Sequence, residues 1–387
     1  MIKQFFTASV LVLLLMGIEP STATAEMSEQ ELRLQALEEK QQANAALLEV
    51  LKRFTWQGDL RTRYQAEATK NGNAANELSR DRFRLRFRFG AKVHMYKDLD
   101  IGFRLDTPGV GTIDSGNATL DGSFGSKGID LGQAYFQYSP TIMGIKTKIL
   151  GGKFKPPFMK SEIIWDSDVN PEGLAEIFTM KTGNTTVDTI FGQFLLDEIN
   201  PGRDIYLMAY QGVLTQKTGI GKFKFAVGYY DAVNHEDPSS AITAASLVNT
   251  SSAVEMLDIM GEWSEKIMGQ KLTIFGEYEQ NLGKLANGNP DLDTAWQVGA
   301  KYGKSGQKFG DWDLKVLYRV VQSEAVLDNI SDSDFHGGRS NGRGIEAGGG
   351  FGLRRGVQLA VSYFNTEEER GATLENWTLQ TDLKFKF

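Results

Sequence analysis

The chain has 387 residues, no cysteine, 41% hydrophobic and 24% charged residues, and a formal charge of −7. That length holds one large barrel or two ordinary domains. The missing cysteines exclude disulfides, thiolate metal sites and thiol nucleophiles, and the acidic balance argues against a general nucleic-acid binder. His94, His235 and His336 are too scattered to suggest a metal-ligand set, so no cofactor or metal is expected.

In chain order, Lys3 precedes the apolar stretch Phe5 to Ile18 and then Ala23-Thr24-Ala25, which reads as a secretory signal peptide over 1–25. Residues 26–54 place Leu34, Leu37, Leu48 and Leu51 on a 3-4-3 spacing, with Gln30, Gln41 and Asn44 at other seam positions. That pattern predicts an amphipathic helix, either fraying or forming a short coiled coil once subunits stand side by side. Past the leader no apolar run reaches about 18 residues, so no transmembrane helix is expected.

Over residues 55–387 the helical period vanishes and apolar and polar residues alternate. From Arg82 to Met95, Phe83, Leu85, Phe87, Phe89, Ala91, Val93 and Met95 share one face. Arg82, Arg84, Arg86, Arg88, Lys92 and His94 share the other. The same period recurs after Trp56, Leu99, Leu257, Leu272, Trp296, Trp312, Val357 and Trp377. Weaker candidates near 131–138, 145–154, 173–181, 187–194, 205–212, 223–230 and 344–352 bring the total to sixteen strands.

Short links such as Tyr96-Lys97-Asp98 and Leu353 to Gly356 alternate with long polar ones such as Thr107 to Gly128, Lys155 to Glu172 and Gln322 to Gly342. Outer-membrane barrels alternate short periplasmic turns with long external loops in this way. Rings near strand ends, Trp56, Tyr96, Trp263, Trp312 and Trp377 among them, suit a membrane interface. The fold class expected is therefore an all-β transmembrane antiparallel barrel behind a short helix, set in outer-membrane lipid and lipopolysaccharide.

Arg80-Asp81-Arg82-Phe83-Arg84-Leu85-Arg86, Gly151-Gly152-Lys153-Phe154-Lys155-Pro156-Pro157-Phe158 and Trp165-Asp166-Ser167-Asp168-Val169-Asn170-Pro171-Glu172-Gly173-Leu174-Ala175 resemble the Gram-negative putative porin family. The G-x-F-x-x-P-F element is also similar to the phosphate-selective porins. Phe387, with Phe385 and Leu383 on its face, resembles the C-terminal signal read by the barrel-assembly machinery. The resemblance implies an outer-membrane channel for passive diffusion of small hydrophilic solutes, assembled as a homotrimer. It leaves open an anion- or phosphate-selective channel, or a structural barrel tethered through its helix.

Sixteen strands enclose an aqueous lumen unless a loop narrows it. Counting links makes Lys155 to Glu172 the third external loop, with acids Glu162, Asp166, Asp168 and Glu172. The expected filter sets them across a water-filled gap from a cationic face of Arg82, Arg84, Arg86 and Arg88, joined by Arg61, Arg63 and Arg104. In the competing reading these arginines pair with Asp59, Glu67 and Asp106 and define no filter. Asp328, Asp332 and Asp334 are either a weak cation site or a solvated acidic loop. No enzyme is expected, because only His336 lies in a long loop near acids and serines.

Overall fold

The computed structural model describes residues 29–72, 77–108, 116–234, 253–283, 292–327, 330–371 and 374–387. The expected leader and Asp328 lie outside them. Helix α1 (Glu29–Lys52) is a unit by itself. Its Leu34, Leu37, Leu48 and Leu51 are all exposed.

The second unit is a closed antiparallel sheet. Its long strands are β1 (Phe54–Asn71), β2 (Glu77–Tyr96), β3 (Leu99–Asp106), β4 (Asp130–Tyr138), β5 (Ile145–Lys153), β6 (Glu172–Thr182), β7 (Thr185–Asp197) and β8 (Ile205–Thr218). They continue with β9 (Gly221–Val233), β10 (Glu255–Ile267), β11 (Gln270–Asn281), β12 (Thr294–Gly303), β13 (Trp312–Val321), β14 (Gly342–Arg354), β15 (Val357–Glu368) and β16 (Leu374–Lys386). Each pairs with its neighbour in sequence, and β1 also pairs with β16, from Asp59 opposite Lys386 to Asn71 opposite Leu374. Closure leaves no edge strand to aggregate. Two-residue pieces fill irregular places: Ala118–Thr119 pairs with Arg84 and Leu85 where the shorter β3 has ended, and Thr141–Ile142 sits in the β4–β5 turn.

Alternation decides which way each side chain points. Along β2, Phe83 is 61% exposed while Arg86 is 8% exposed; along β8, Tyr206 and Tyr210 are exposed while Leu207 and Ala209 are buried. The exposed faces carry Trp56, Tyr96, Trp296, Trp312 and Trp377, which meet lipid, and the opposite positions meet the lumen.

The lumen is not evenly filled. Residues 154–171, the third long link, fold inward, and Phe158, Ile163, Ile164 and Trp165 pack against Ile190, Phe194, Leu207, Tyr230 and Met256 on the inner wall. Gln211 of β8 clamps this segment, accepting from Met159 N–H at 2.7 Å and donating to Met159 carbonyl at 2.8 Å. The link 322–341, expected as a solvated external loop, also enters. Val326, Leu327, Ile330 and Phe335 are apolar and buried, which is the physical reason it leaves solvent. Asp166 N–H donates to the Ile330 carbonyl at 2.7 Å and Asp332 N–H to the Glu162 carbonyl at 2.9 Å, stapling the two loops together.

Candidate pore and its constriction

The cationic wall is built by register. Antiparallel pairing of β1 with β2 sets Asp59 opposite Arg88, Arg61 opposite Arg86, Arg63 opposite Arg84 and Gln65 opposite Arg82, all inward-facing. Arg104 of β3 adds a seventh guanidinium. Arg86 and Arg88 both reach Asp59, at 3.1 and 2.7 Å, Arg82 reaches Glu67 at 3.0 Å, and Arg104 reaches Asp106 at 2.6 Å. Arg63 holds Asp382 of β16 at 2.7 Å and Asp334 of the seventh loop, residues 322–341, at 3.4 Å. Arg84 donates to the Gln65 amide and the Asn117 carbonyl, both at 3.3 Å, and Arg61 donates to the side chain of Asn117.

Of the loop acids, Asp168 lies on this wall, 3.1 Å from Arg86 and 3.0 Å from Arg88. The sequence reading set the loop acids across water from the arginines, whereas here the loop rests on them. Burial would raise the Asp168 carboxyl, but Arg86, Arg61 and Arg88 outweigh it and hold it at about 2. Asp166 faces the other loop and accepts from Ser333 N–H and Oγ at 3.0 and 2.9 Å. Its burial, beside Asp332, pushes its pKa up to about 8. Glu162 lies 3.7 Å from Lys315, and Glu172 is the first residue of β6, paired at the rim with Lys153.

Asp332 pairs with Arg319 at 2.5 Å, so Asp332 and Asp334 are both engaged in ion pairs. Carboxylate oxygens of Glu162, Asp332 and Glu346 do converge within 4.8 Å, but Lys315 and Arg319 stand among them and supply the counter-charge. His336 is buried, 3.0 Å from the Thr366 hydroxyl, and burial with Arg339 nearby lowers its pKa to about 4.

Sequence reasoning missed a second charged wall. Asp258 on β10 lies opposite Glu279 on β11, with Glu277 one step away on the same face. All three are buried, and both oxygens of Asp258 and Glu279 have no hydrogen-bond partner among the described residues. Alternation could have placed them in the lumen, since they fall between the lipid-facing Leu257, Ile259, Ile274 and Tyr278.

Two cavities flank the third loop. One, of ≈600 Å3 toward the long-loop end, is lined by Asp106, Asp130, Asp168, Glu172, Asp197 and Glu198 against the lone cation Lys153, over a floor that includes Trp165 and Phe194. The other, of ≈580 Å3 toward the short turns, has Lys148, Lys155 and Lys224 against Asp188, under Phe154 and Phe158. Ring contacts of 5.9 to 6.1 Å join Phe154, Phe158, Trp165 and Phe194, so this aromatic cluster is the partition between the cavities.

A closed sixteen-strand barrel with a lipid-facing exterior and a charged lumen narrowed by an infolded loop defines a porin. Among solved structures the fold is similar to OprB of Pseudomonas putida, at 13% identity and TM-score 0.54 over 87% of this chain and 96% of that one. It is also similar to the outer membrane channel DcaP of Acinetobacter baumannii, at 14% identity and TM-score 0.51 over 86% and 97%. No curated protein is detectably similar in sequence. The family described as "putative porin" matches residues 75–261 and 263–387, and the chain belongs to it. It is an outer-membrane β-barrel that forms a water-filled channel for passive diffusion of small hydrophilic solutes and ions.

Proposed function

We propose that this porin passes anions in preference to cations, with the guanidinium wall of β1 to β3 as its filter. Arg61 carries the reading. It is 8% exposed, at the level of Arg86, and its side-chain partner is the neutral Asn117 rather than a carboxylate, so the wall keeps a positive excess. The guanidinium wall lies where the infolded third loop reaches across the lumen, Asp168 resting on Arg86 and Arg88, so it dominates selectivity. Reversal potential in a KCl gradient across a planar bilayer tests this. Wild type shifts toward chloride, and Arg61→Gln and Arg86→Gln each reduce the shift; an unchanged potential in both rejects the filter.

The chain enters the outer membrane after removal of residues 1–25, and α1 brings three copies together through Leu34, Leu37, Leu48 and Leu51. The exposure of those leucines supports this reading. Deleting residues 26–53 should leave conductance intact and turn trimers into monomers in light scattering. Phe387, 64% exposed, offers its ring to the barrel-assembly machinery.

A further inference from the structure

The cavity on the short-turn side is unlike the rest of the lumen. Its ≈580 Å3 fall within the roughly 300–1,000 Å3 of small-molecule sites. Its roof is Phe154, Phe158 and Met159 of the third loop, and Ile177, Ile190 and Val213 continue the apolar surface along β6 to β8. Lys148, Lys155 and Lys224 line it as well, and none of the three forms an ion pair among the described residues. Every guanidinium of the neighbouring wall, by contrast, has a carboxylate or amide partner. The cavity also adjoins the foot of that wall: Arg104 and Arg88 lie near enough to Lys155 that, together with its burial, they hold its ammonium below the usual lysine range. A negatively charged group leaving the arginines therefore meets Lys155 next, while an apolar body attached to it finds a matching surface.

We propose that this cavity is a binding station for small amphipathic monoanions, a carboxylate joined to a ring or short hydrocarbon, on the short-turn side of the constriction. The inference rests on the anion-preferring reading and narrows it to a solute class. The lysine ammonium groups take the carboxylate, and the apolar roof takes the body by removing its surface from water. Unpaired cations in a partly desolvated pocket gain more from an anion than paired ones, because no internal ion pair has to be broken.

The test uses phenylacetate, acetate and 2-phenylethylamine on the full-length channel in planar bilayers, added to the short-turn side. Phenylacetate should reduce open-channel current at millimolar concentrations. Acetate, with the same head group and no ring, and 2-phenylethylamine, with the ring and the opposite charge, should do so at least about tenfold less effectively. Lys148→Gln combined with Lys155→Gln should raise the half-blocking concentration about tenfold, and Met159→Gln by a smaller factor. Calorimetric titration of the refolded barrel in detergent with phenylacetate gives the same ranking without relying on conduction. Equal block by acetate and phenylacetate, or half-blocking concentrations unmoved by the lysine variants, would overturn the proposal. Chloride preference without block overturns the station and leaves the filter standing. Block in a channel that prefers potassium keeps the station and removes the filter.

Discussion

On β1 to β3 the inward guanidinium groups each have a carboxylate or amide within reach, whereas on β10 and β11 Asp258, Glu277 and Glu279 are sealed in with most of their oxygens unpartnered among the described residues. The difference follows from what covers each wall. Asp168 of the third loop rests on the arginines, while Trp165 and Phe158 of the same loop pack around Tyr230 beside the acids. The loop is thus held by charge on one side and by apolar burial on the other. Its position is a balance between a hydrated wall and a dry one.

The comparison breaks most visibly if the dry contact is removed. Trp165→Ala with Phe158→Ala deletes the partition and costs about 3–5 kcal/mol of docking energy per ring. Single-channel conductance should rise, about threefold or more, as the two cavities merge. Removing the charged contact instead, with Asp168→Asn, breaks buried pairs worth about 3–5 kcal/mol when one partner is lost. It leaves Arg86 and Arg88 with Asp59 alone as counter-charge, so the reversal potential should move further toward chloride. If conductance rises as much as in the double aromatic variant, charge rather than packing is the principal anchor.

Next in size is pH dependence. Asp166 rises in the docked loop from an ordinary 3.8 to about 8, so the docked state binds a proton that the undocked state releases. Docking is strongest below the ordinary value and weakens as pH rises toward 8, which should make open excursions of the channel more frequent at pH 9 than at pH 5. Asp166→Asn should flatten that dependence between pH 5 and 9. Asp168 works in the opposite sense, its contribution fading only as pH falls from 3.8 through about 2. The smallest effect is expected on the dry wall itself. Asp258→Asn with Glu279→Gln replaces buried carboxyl groups that face each other across two strands, and thermal unfolding should rise by a few degrees with conductance unchanged.

The wall that reads most easily is the one with the strongest alternation. Arg82, Arg84, Arg86 and Arg88 interleave with Phe83, Leu85, Phe87 and Phe89, and a two-residue period needs no tertiary information to assign faces. The count of links also places residues 154–171 third. The pairing of Asp59 and Glu67 with the arginines was one of two readings the sequence allowed, and the register of β1 against β2 brings those groups within reach. The entry of the seventh loop was not foreseen, although Val326, Leu327, Ile330 and Phe335 are an unusual set for a solvated link. What the alternation cannot tell is which acids end beneath a loop. Asp258 and Glu279 have the same local pattern as Asp59, and only the path of residues 154–171 through the lumen makes one wet and the others dry.

Phe387 takes part in the seam. Phe387 N–H donates to the Gly58 carbonyl at 3.1 Å and Gly58 N–H to the Phe387 carbonyl at 2.8 Å, and a Cβ at residue 58 would come within 2.5 Å of the Phe387 ring. The first strand therefore waits for the sixteenth: until β16 is in place, β1 has only β2 beside it and its other edge stays unsatisfied. A chain cut short of β16 cannot hide this defect, because the missing partner is the strand that closes the sheet. Closure thus works as a check on content, separating barrels that hold both β1 and β16 from fragments that lack either.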